Sequence, residues 1–507
     1  TQEEGAYYFV KVNYDVENFT KVIEGSEYYE ATFPQGKYLD EVRGWSSEAL
    51  ANAGDYNKAL AKMESLKSMN TTTKQIYQKT AFNKAVLDYN DGKFRDAVEN
   101  LIKSVRFPID KELESKSYFW MAEAYSYGYK YQDAAMYYQK VAPSHEIHVA
   151  ALYGLGYAQF NQKEYTKALS TFKVYLDKPN ISTEQKLDAL VRLADCYYIT
   201  KDYDKAIALY GGAIRANAPD LDYVYYQKAM SELAAGQRNQ ASQTLDFIML
   251  NFPESKNLDR VYFEKAQLYF EINDMPSAIN WYGKFLNFFP THQQVATVYL
   301  RRALANKLSG KTGESVSDYK YIIDKFPKDE VAEDAMKSLN ELHLSGYNVS
   351  DIMAYQRRFS EANPESSVAM EAEHGAASKP FDAEEYELAI QTLNEFIRKY
   401  PNSKLTSDAY LKLAQSYDYL GRKKEAIPYY KKVEGDERLK AIKGVADLEL
   451  VLEMYEDAVS DYLALKAIAP NLHYQQDPLR NKAFSNHSRS KRTFLHHLRL
   501  QLRAHLP

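Results

Sequence analysis

A single cysteine, Cys196, stands among 507 residues. That excludes an intramolecular disulfide and any cysteine cluster around zinc. It fits a reducing compartment, or an oxidising one in which thiols are avoided. Turn formers are scarce too, with 20 Gly and 16 Pro, which argues against an all-β chain and for long helices. No run of eighteen apolar residues occurs, so no membrane-spanning helix is expected. The net charge is only −5, and no field of one sign would recruit nucleic acid. The phosphate loop GxxxxGKS/T, the GxGxxG fingerprint, HExxH and GxSxG are all missing. With them go the usual signatures of nucleotide, dinucleotide, zinc-protease and serine-hydrolase chemistry. No enzyme, cofactor or metal site is expected. The chain begins at Thr1 rather than Met, which leaves open whether a signal segment precedes it.

Tyrosine is what the chain has in excess: 45, against 22 Phe and 3 Trp. Each tyrosine joins an apolar ring to a polar tip. This helps reconcile a mean hydropathy of −0.55 with a hydrophobic content of 45%.

The second feature is a period, which is best sought before any local reading. Ala241, Ala278 and Ser315 stand 37 apart, and the same step leads on to Ile352, Ala389 and Ala426. Pro253, Pro290, Pro327, Pro364 and Pro401 follow the first five of these six anchors by twelve positions. Backwards the anchors are Ala206, Ala168, Ala134, Ala97, Ala59 and, weakly, Val22; forwards Ala458 precedes Pro470 by twelve. Thirteen candidate units result. Twelve residues before most anchors a second small residue recurs: Ser47, Ala85, Ala122, Gly156, Ala194, Ala229, Ala266, Ala303, Ala377, Ala414 and Ala446. Large apolar residues follow the anchors by four and seven, as at Tyr210, Leu245, Ile248, Tyr282, Phe285, Tyr319 and Ile322. Spacings of three and four rather than two predict helices. Each unit therefore reads as two amphipathic helices, A and B, around a short polar turn such as "NQKEY" (161–165). Small residues mark where A and B approach closely, and the proline marks where B stops.

Small residues twelve apart, then an aromatic and a proline, resemble the tetratricopeptide repeat (TPR). "ALYGLGYAQFNQKEYTKALSTFKVYL" (151–176) carries the likeness best, and the resemblance spans about residues 1–470. It implies an all-α solenoid wound as a right-handed superhelix. Two departures stand out. The usual repeat has about 34 residues, and here most units have 37 or 38; the position seven after the anchor, usually Ala in the family, is often large. This long variant, with its "FxxFLxxFP"-like endings, resembles TPR arrays of bacterial envelope proteins, such as the lipoprotein that assists β-barrel assembly. On the face of helix A that lines the groove in the family, the resemblance places Tyr153, Tyr157, Tyr226 and Phe263 as candidate contacts for a peptide or partner helix. The Lys, Asn and Arg that clamp a peptide carboxylate in some relatives are absent: the matching pairs are Tyr153 and Tyr157, Val191 and Asp195, Tyr226 and Met230, Phe263 and Gln267.

The period weakens between about 340 and 388. Ile352 replaces the small anchor, and Gly375 and Pro380 fall inside a stretch due to be helix A. Their helix costs, about 1 and 3 kcal/mol, predict a short helix or a loop. The expected organisation is an array over 1–345 of about nine units, an irregular repeat or hinge over 346–388, further units over 389–470, and a distinct tail over 471–507. The tail holds seven Lys/Arg, one acid and five of the ten histidines. Leu495, Leu498, Leu502 and Leu506 would share one helical face there. A cap over the last repeat, a segment foreign to the array and a basic arm all remain open for it. His145 and His148 are expected at an exposed helix start, and Cys196 in a buried apolar position.

The resemblance favours a non-enzymatic scaffold that binds protein or peptide partners and helps organise the cell envelope. It would be periplasmic or outer-membrane-associated, with a cytoplasmic location as the alternative. Other readings are an accessory module of a larger enzyme or of a transport or secretion assembly, and a glycan-binding envelope protein. The oligomeric state stays open.

Overall fold

The structure, a computed structural model, describes residues 1–468 and the isolated positions 485, 488 and 489. Among the described residues there are 26 α-helices, one 3-10 turn at Gly435–Glu437 and no strand. In chain order the A and B helices pair as α1 (Gln2–Asp15) with α2 (Phe19–Thr32), α3 (Leu39–Asn52) with α4 (Tyr56–Glu64), α5 (Thr71–Asn90) with α6 (Phe94–Arg106), and α7 (Lys111–Tyr127) with α8 (Tyr131–Tyr138). Next come α9 (His148–Asn161) with α10 (Tyr165–Leu176), α11 (Thr183–Ile199) with α12 (Tyr203–Arg215), α13 (Leu221–Ala234) with α14 (Arg238–Asn251), and α15 (Leu258–Glu271) with α16 (Met275–Phe288). The last five are α17 (Val295–Leu308) with α18 (Thr312–Lys325), α19 (Glu330–Leu344) with α20 (Ile352–Ala362), α21 (Ser367–Asp382) with α22 (Tyr386–Lys399), α23 (Thr406–Tyr419) with α24 (Lys423–Tyr430), and α25 (Arg438–Val451) with α26 (Tyr455–Ile468). Every anchor from Val22 to Ala458 falls in a B helix. The chain forms two compact units, residues 1–261 and 262 onward.

The small positions are where helices touch. Ala168, Ala206, Ala241, Ala278, Ala389, Ala426, Ala194, Ala229, Ala266, Ala303 and Ala414 have no measurable exposure. At Gly156 in α9, an added Cβ would stand 2.7 Å from Cε1 of Phe172. At Gly154 it would stand 2.3 Å from Cζ of Tyr138. Two B-helix rings thus lie directly on the α9 backbone, at distances that no side chain allows.

Each A helix ends in the same way. The residue after its C-cap is left-handed in all thirteen units: Gly54, Gly92, Gly236, Gly310, Gly346 and Gly421 in six, and Glu17, Tyr129, Lys163, Lys201, Asn273, Glu384 and Glu453 in the others. After α9, for example, the Lys163 N–H donates to the Phe160 carbonyl and the Glu164 N–H to that of Gln159, each at 2.9 Å. This closure satisfies carbonyls that the helix end would orphan. The B helices that precede proline end differently. Phe252, Phe289, Phe326, Asn363 and Tyr400 cap them with φ between −125° and −132°. These residues have left the helical region, from which a following proline excludes the residue before it.

Two positions inside the hairpin hold private contacts. The residue nine before the anchor, in A, faces the residue three after it, in B. In α5–α6 this is Asp88, which accepts from Asn100 at 2.9 Å and pairs with Lys84. In α13–α14 it is Glu232, which accepts from Thr244 at 2.7 Å and pairs with Lys228. In α17–α18 Asn306 faces Asp318, which Arg302 grips at 2.9 and 2.6 Å. In α7–α8 and α23–α24 the slot instead holds stacked rings, Tyr125 on Tyr137 and Tyr417 on Tyr429, 5.5 and 5.3 Å apart.

The irregular stretch is helical, contrary to the expectation of a short helix or loop. Helix α21 runs continuously through Gly375 and Pro380. Pro380 lies in its last turn, so only one intrahelical bond, to the Ala376 carbonyl, is forfeited. The irregularity sits in α20. Ile352 is its first residue, whereas Ala241 is the fourth residue of α14. The α20 helix has lost its first turn to the segment 345–351, which ends in left-handed Asp351. The histidine expectation also changes. His148 opens α9, His145 lies in the turn before it, and both are half-buried. The Nδ1 of His148 is 3.3 Å from the Val141 carbonyl, and burial lowers its pKa. Pro470, the leucine face and the tail histidines lie outside the described residues.

Candidate functional site

In the first unit, tyrosines on one A helix donate to carboxylates about one period further on. Tyr7 in α1 donates to Glu41 in α3 at 2.9 Å, and Tyr14 donates to Glu48 on the same pair of helices. The pattern is densest between α9 and α13. The Tyr153 hydroxyl donates to Oδ2 of Asp188 at 2.7 Å, and Tyr157 donates to the same oxygen. One turn beyond Asp188 on α11 stands Arg192. Its Nε donates to the Tyr157 oxygen at 3.3 Å and its Nη1 to Asp195 at 2.7 Å. Its guanidinium carbon lies 6.0 Å from the Tyr157 ring centre and 5.5 Å from that of Tyr223. Asp195 also accepts from Tyr210 of α12 at 2.5 Å and from Tyr223 of α13 at 3.1 Å. One hydrogen-bonded chain thus ties together four helices.

Its electrostatics follow from burial. Asp195 is 4% exposed, and desolvation raises its pKa; the Tyr210 hydroxyl, Arg192 and Tyr223 restrain that rise without cancelling it. Burial first, then the bond to Asp188, pushes Tyr157 up to about 12. Tyr153 and Tyr210 are raised further by the same two causes, burial and a carboxylate partner. Arg192 and Asp188 keep side-chain exposures of 26% and 29%, so the network presents one cation and one anion at its rim between tyrosine rings. Cys196 is fully buried, as expected, and burial with the neighbouring Asp195 charge pushes its thiol up to about 12. A thiol held protonated is no nucleophile. What this arrangement does chemically is hold rings and charges in fixed places.

The predicted contacts separate. Tyr153 and Tyr157 come together, edge to face at 5.0 Å. Tyr226 is only 8% exposed and shares a core with Ala229, Leu245 and Ile248. Phe263 belongs to the second unit, half-buried beside Tyr282 and Phe285 at 6.3 and 6.4 Å. Asp188, Arg192 and Tyr223 were not anticipated. A tyrosine followed by an acid 34 or 35 positions later, as in Tyr7–Glu41, Tyr14–Glu48 and Tyr153–Asp188, is the signal that would have found Asp188.

Fold and site together define a helical-repeat solenoid with a hydrogen-bonded tyrosine face. The repeat is the tetratricopeptide repeat: sequence profiles of that family match residues 121–180, 187–220, 381–403 and 407–434. The profile of YfiO, an outer membrane lipoprotein, matches residues 222–358. The chain is a TPR protein that resembles bacterial envelope proteins built from such repeats. The outer membrane protein assembly factor BamD of Xylella fastidiosa is 22% identical over 218 residues, which are 39% of this chain and 66% of that protein. The chain thus spans just under two thirds of this relative's length. Among solved structures, the C-terminal part of a TPR repeat-containing protein from Cytophaga hutchinsonii has a TM-score of 0.41 at 15% identity, covering 50% of this chain and 98% of that one. Naa15/Naa10 bound to HypK-THB has a TM-score of 0.37 at 12% identity, covering 91% of this chain and 68% of the other. At these scores the fold assignment rests on the helices themselves and on the repeat profiles.

Proposed function

We propose that the chain is a non-enzymatic scaffold that binds protein partners on the A-helix face of its first unit and serves assembly or organisation of the bacterial envelope. The observation that carries this reading is the hydrogen-bonded chain from Tyr153 to Tyr223, which fixes aromatic rings and the Arg192 guanidinium before any partner arrives. A surface already ordered loses little conformational entropy on binding, and Tyr and Arg are the side chains that most often dominate interfaces. The resemblance to an outer membrane lipoprotein over 222–358 and to BamD supports the envelope as its setting, on the periplasmic side of the outer membrane.

The test is capture from a detergent-solubilised envelope fraction of the source cells, with the intact chain and an Arg192→Ala variant as baits. The intact chain is expected to retain one or more envelope proteins, and the variant at least tenfold less of them at equal helical content. Equal retention by both baits would rule out this face as the binding surface. Retention of no envelope protein by either would rule out the envelope role.

A further inference from the structure

One A helix of the second unit lacks the cover that its neighbours have. Helix α21 buries Ala369 and Ala377 and no residue between them. Over the matching stretch α17 buries Ala296, Val298 and Leu300, α19 buries Ala335, Met336 and Leu339, and α23 buries Ala409, Leu411 and Leu413. The cause lies in α20, which is missing its first turn. Val316 and Ile390, one after their anchors, lie in the core at 7% and 8% exposure; Met353, at the same position of α20, is 57% exposed. At the other end of α20, Phe359 still shares a core with Val368 and Ala369. Two adjoining cavities of about 360 and 660 Å³ occupy the gap, and Met353, Gln356, Ala372 and Ala376 line both. Leu344 and Gly375 line the smaller, and an added Cβ at Gly375 would meet nothing within 4 Å. Ser360 lines the larger. It is 2% exposed, and its Oγ has no hydrogen-bond partner among the described residues.

We propose that this gap is a docking groove for an amphipathic helix of a partner protein, which lies antiparallel to α21 and supplies the missing cover. Ala372, Gly375 and Ala376 stand three and four apart on α21 and so share a face. A face of such small residues lets a second helix approach closely. Met353 and Leu344, both exposed, give the groove apolar walls, of which the methionine is the adaptable one. The incoming helix therefore carries apolar side chains on that face, with one polar group for the buried Ser360 hydroxyl. Its charges follow from two that α21 leaves open. Glu371 and Lys379 are exposed, stand about 12 Å apart along the helix, and form no ion pair among the described residues. A helix that answers both has a base opposite Glu371 and an acid opposite Lys379. Acid at the start and base at the end is the order that a helix dipole favours, and it sets the antiparallel sense. Helix α22 has this chemistry, with Glu387 in its first turn, Arg398 and Lys399 in its last, and Ile390, Leu393 and Phe396 buried. The groove belongs to the second unit and does not depend on the tyrosine face of the first.

The probe is a fluorescein-labelled, end-capped peptide with the sequence of residues 386–399, titrated into the full chain and followed by anisotropy. Saturable one-to-one binding is expected. Gly375→Leu fills the groove from its floor. Leucine is the better helix former and meets open space there, so this variant is expected to keep its helical content and to bind the peptide at least tenfold more weakly. Lys379→Glu is expected to weaken binding about threefold, and a peptide carrying Glu387→Lys to recover it on that variant. Absence of saturable binding, or equal binding by Gly375→Leu, overturns the proposal. So does a dimer of the peptide-free chain in sedimentation that Gly375→Leu dissociates, because a second copy would then fill the groove.

Discussion

At the scale of the residue, tyrosine hydroxyls are the recurrent currency of this fold. Four residues after the anchor, Tyr138, Tyr210 and Tyr282 donate to Glu123, Asp195 and Gln267 at 2.6, 2.5 and 3.0 Å, and Tyr462 donates to Asp447. Each acceptor lies eleven residues before its anchor. In α17–α18 that position is Leu304, and the buried Tyr319 hydroxyl has no partner among the described residues. An unsatisfied buried hydroxyl costs about 1–3 kcal/mol. Tyr319→Phe is therefore expected to stabilise the second unit by about 1 kcal/mol, while Tyr210→Phe destabilises the first by about 1–3 kcal/mol. Urea unfolding of both variants checks the opposite signs, and a loss of stability in Tyr319→Phe would refute the account. Lys163 and Lys201 hold left-handed backbone, φ 63° and 66°, at a cost of roughly 1–2 kcal/mol that glycine avoids. Lys163→Gly and Lys201→Gly are each expected to gain about 0.5–1 kcal/mol, net of the added freedom of the unfolded chain. A fall in unfolding midpoint for either would show that the turn is not strained.

At the scale of the element, the hairpins were legible because a small residue has to stand wherever two helices touch. Ala206 and Ala194, or Ala278 and Ala266, reveal a hairpin without any structure. The continuous α21 was not legible from propensity alone. The cost of Pro380 depends on how far it stands from the helix end, and the end is set by left-handed Glu384, which no composition rule singles out. The site was half legible. Tyr153 and Tyr157 stood out as aromatics, but Arg192 acquires its place only when α9, α11 and α13 lie side by side. Helix α9 offers a direct test of contact against propensity. Alanine is the better helix former by about 1 kcal/mol, yet at Gly154 its Cβ would lie 2.3 Å from the buried Tyr138 ring. Gly154→Ala is expected to destabilise the first unit by about 1–3 kcal/mol. Thermal unfolding followed by circular dichroism measures it, and a stabilised variant would mean that Tyr138 moves aside freely.

At the scale of the whole molecule, so many buried tyrosines make stability depend on pH at the alkaline end. Burial first, then a carboxylate partner, raises Tyr7, Tyr29 and Tyr157 from 10.0 to about 12. A group whose folded pKa is raised stabilises the fold below its unfolded value and loses that contribution as pH climbs through the folded one. The array is expected to hold to about pH 10 and to unfold cooperatively between about 10 and 12. Phenolate absorbance at 295 nm should then rise together with the loss of helical ellipticity at 222 nm. Tyrosines that all titrate near 10 with the helices intact would contradict this. The hairpin slots carry a further consequence. Thirteen hairpins of nearly one length tempt a folding chain to pair an A helix with the B helix one period away. The slots make such a slip costly, because their partners are not interchangeable. A slip that set Tyr125 against Asn100, or Asp88 against Tyr137, would bury a ring on an amide or a carboxylate on a ring and deprive Asp88 of the Asn100 donor. A repeat array can be regular in backbone only while it is irregular at these few sites, which act as addresses telling each helix which neighbour is its own.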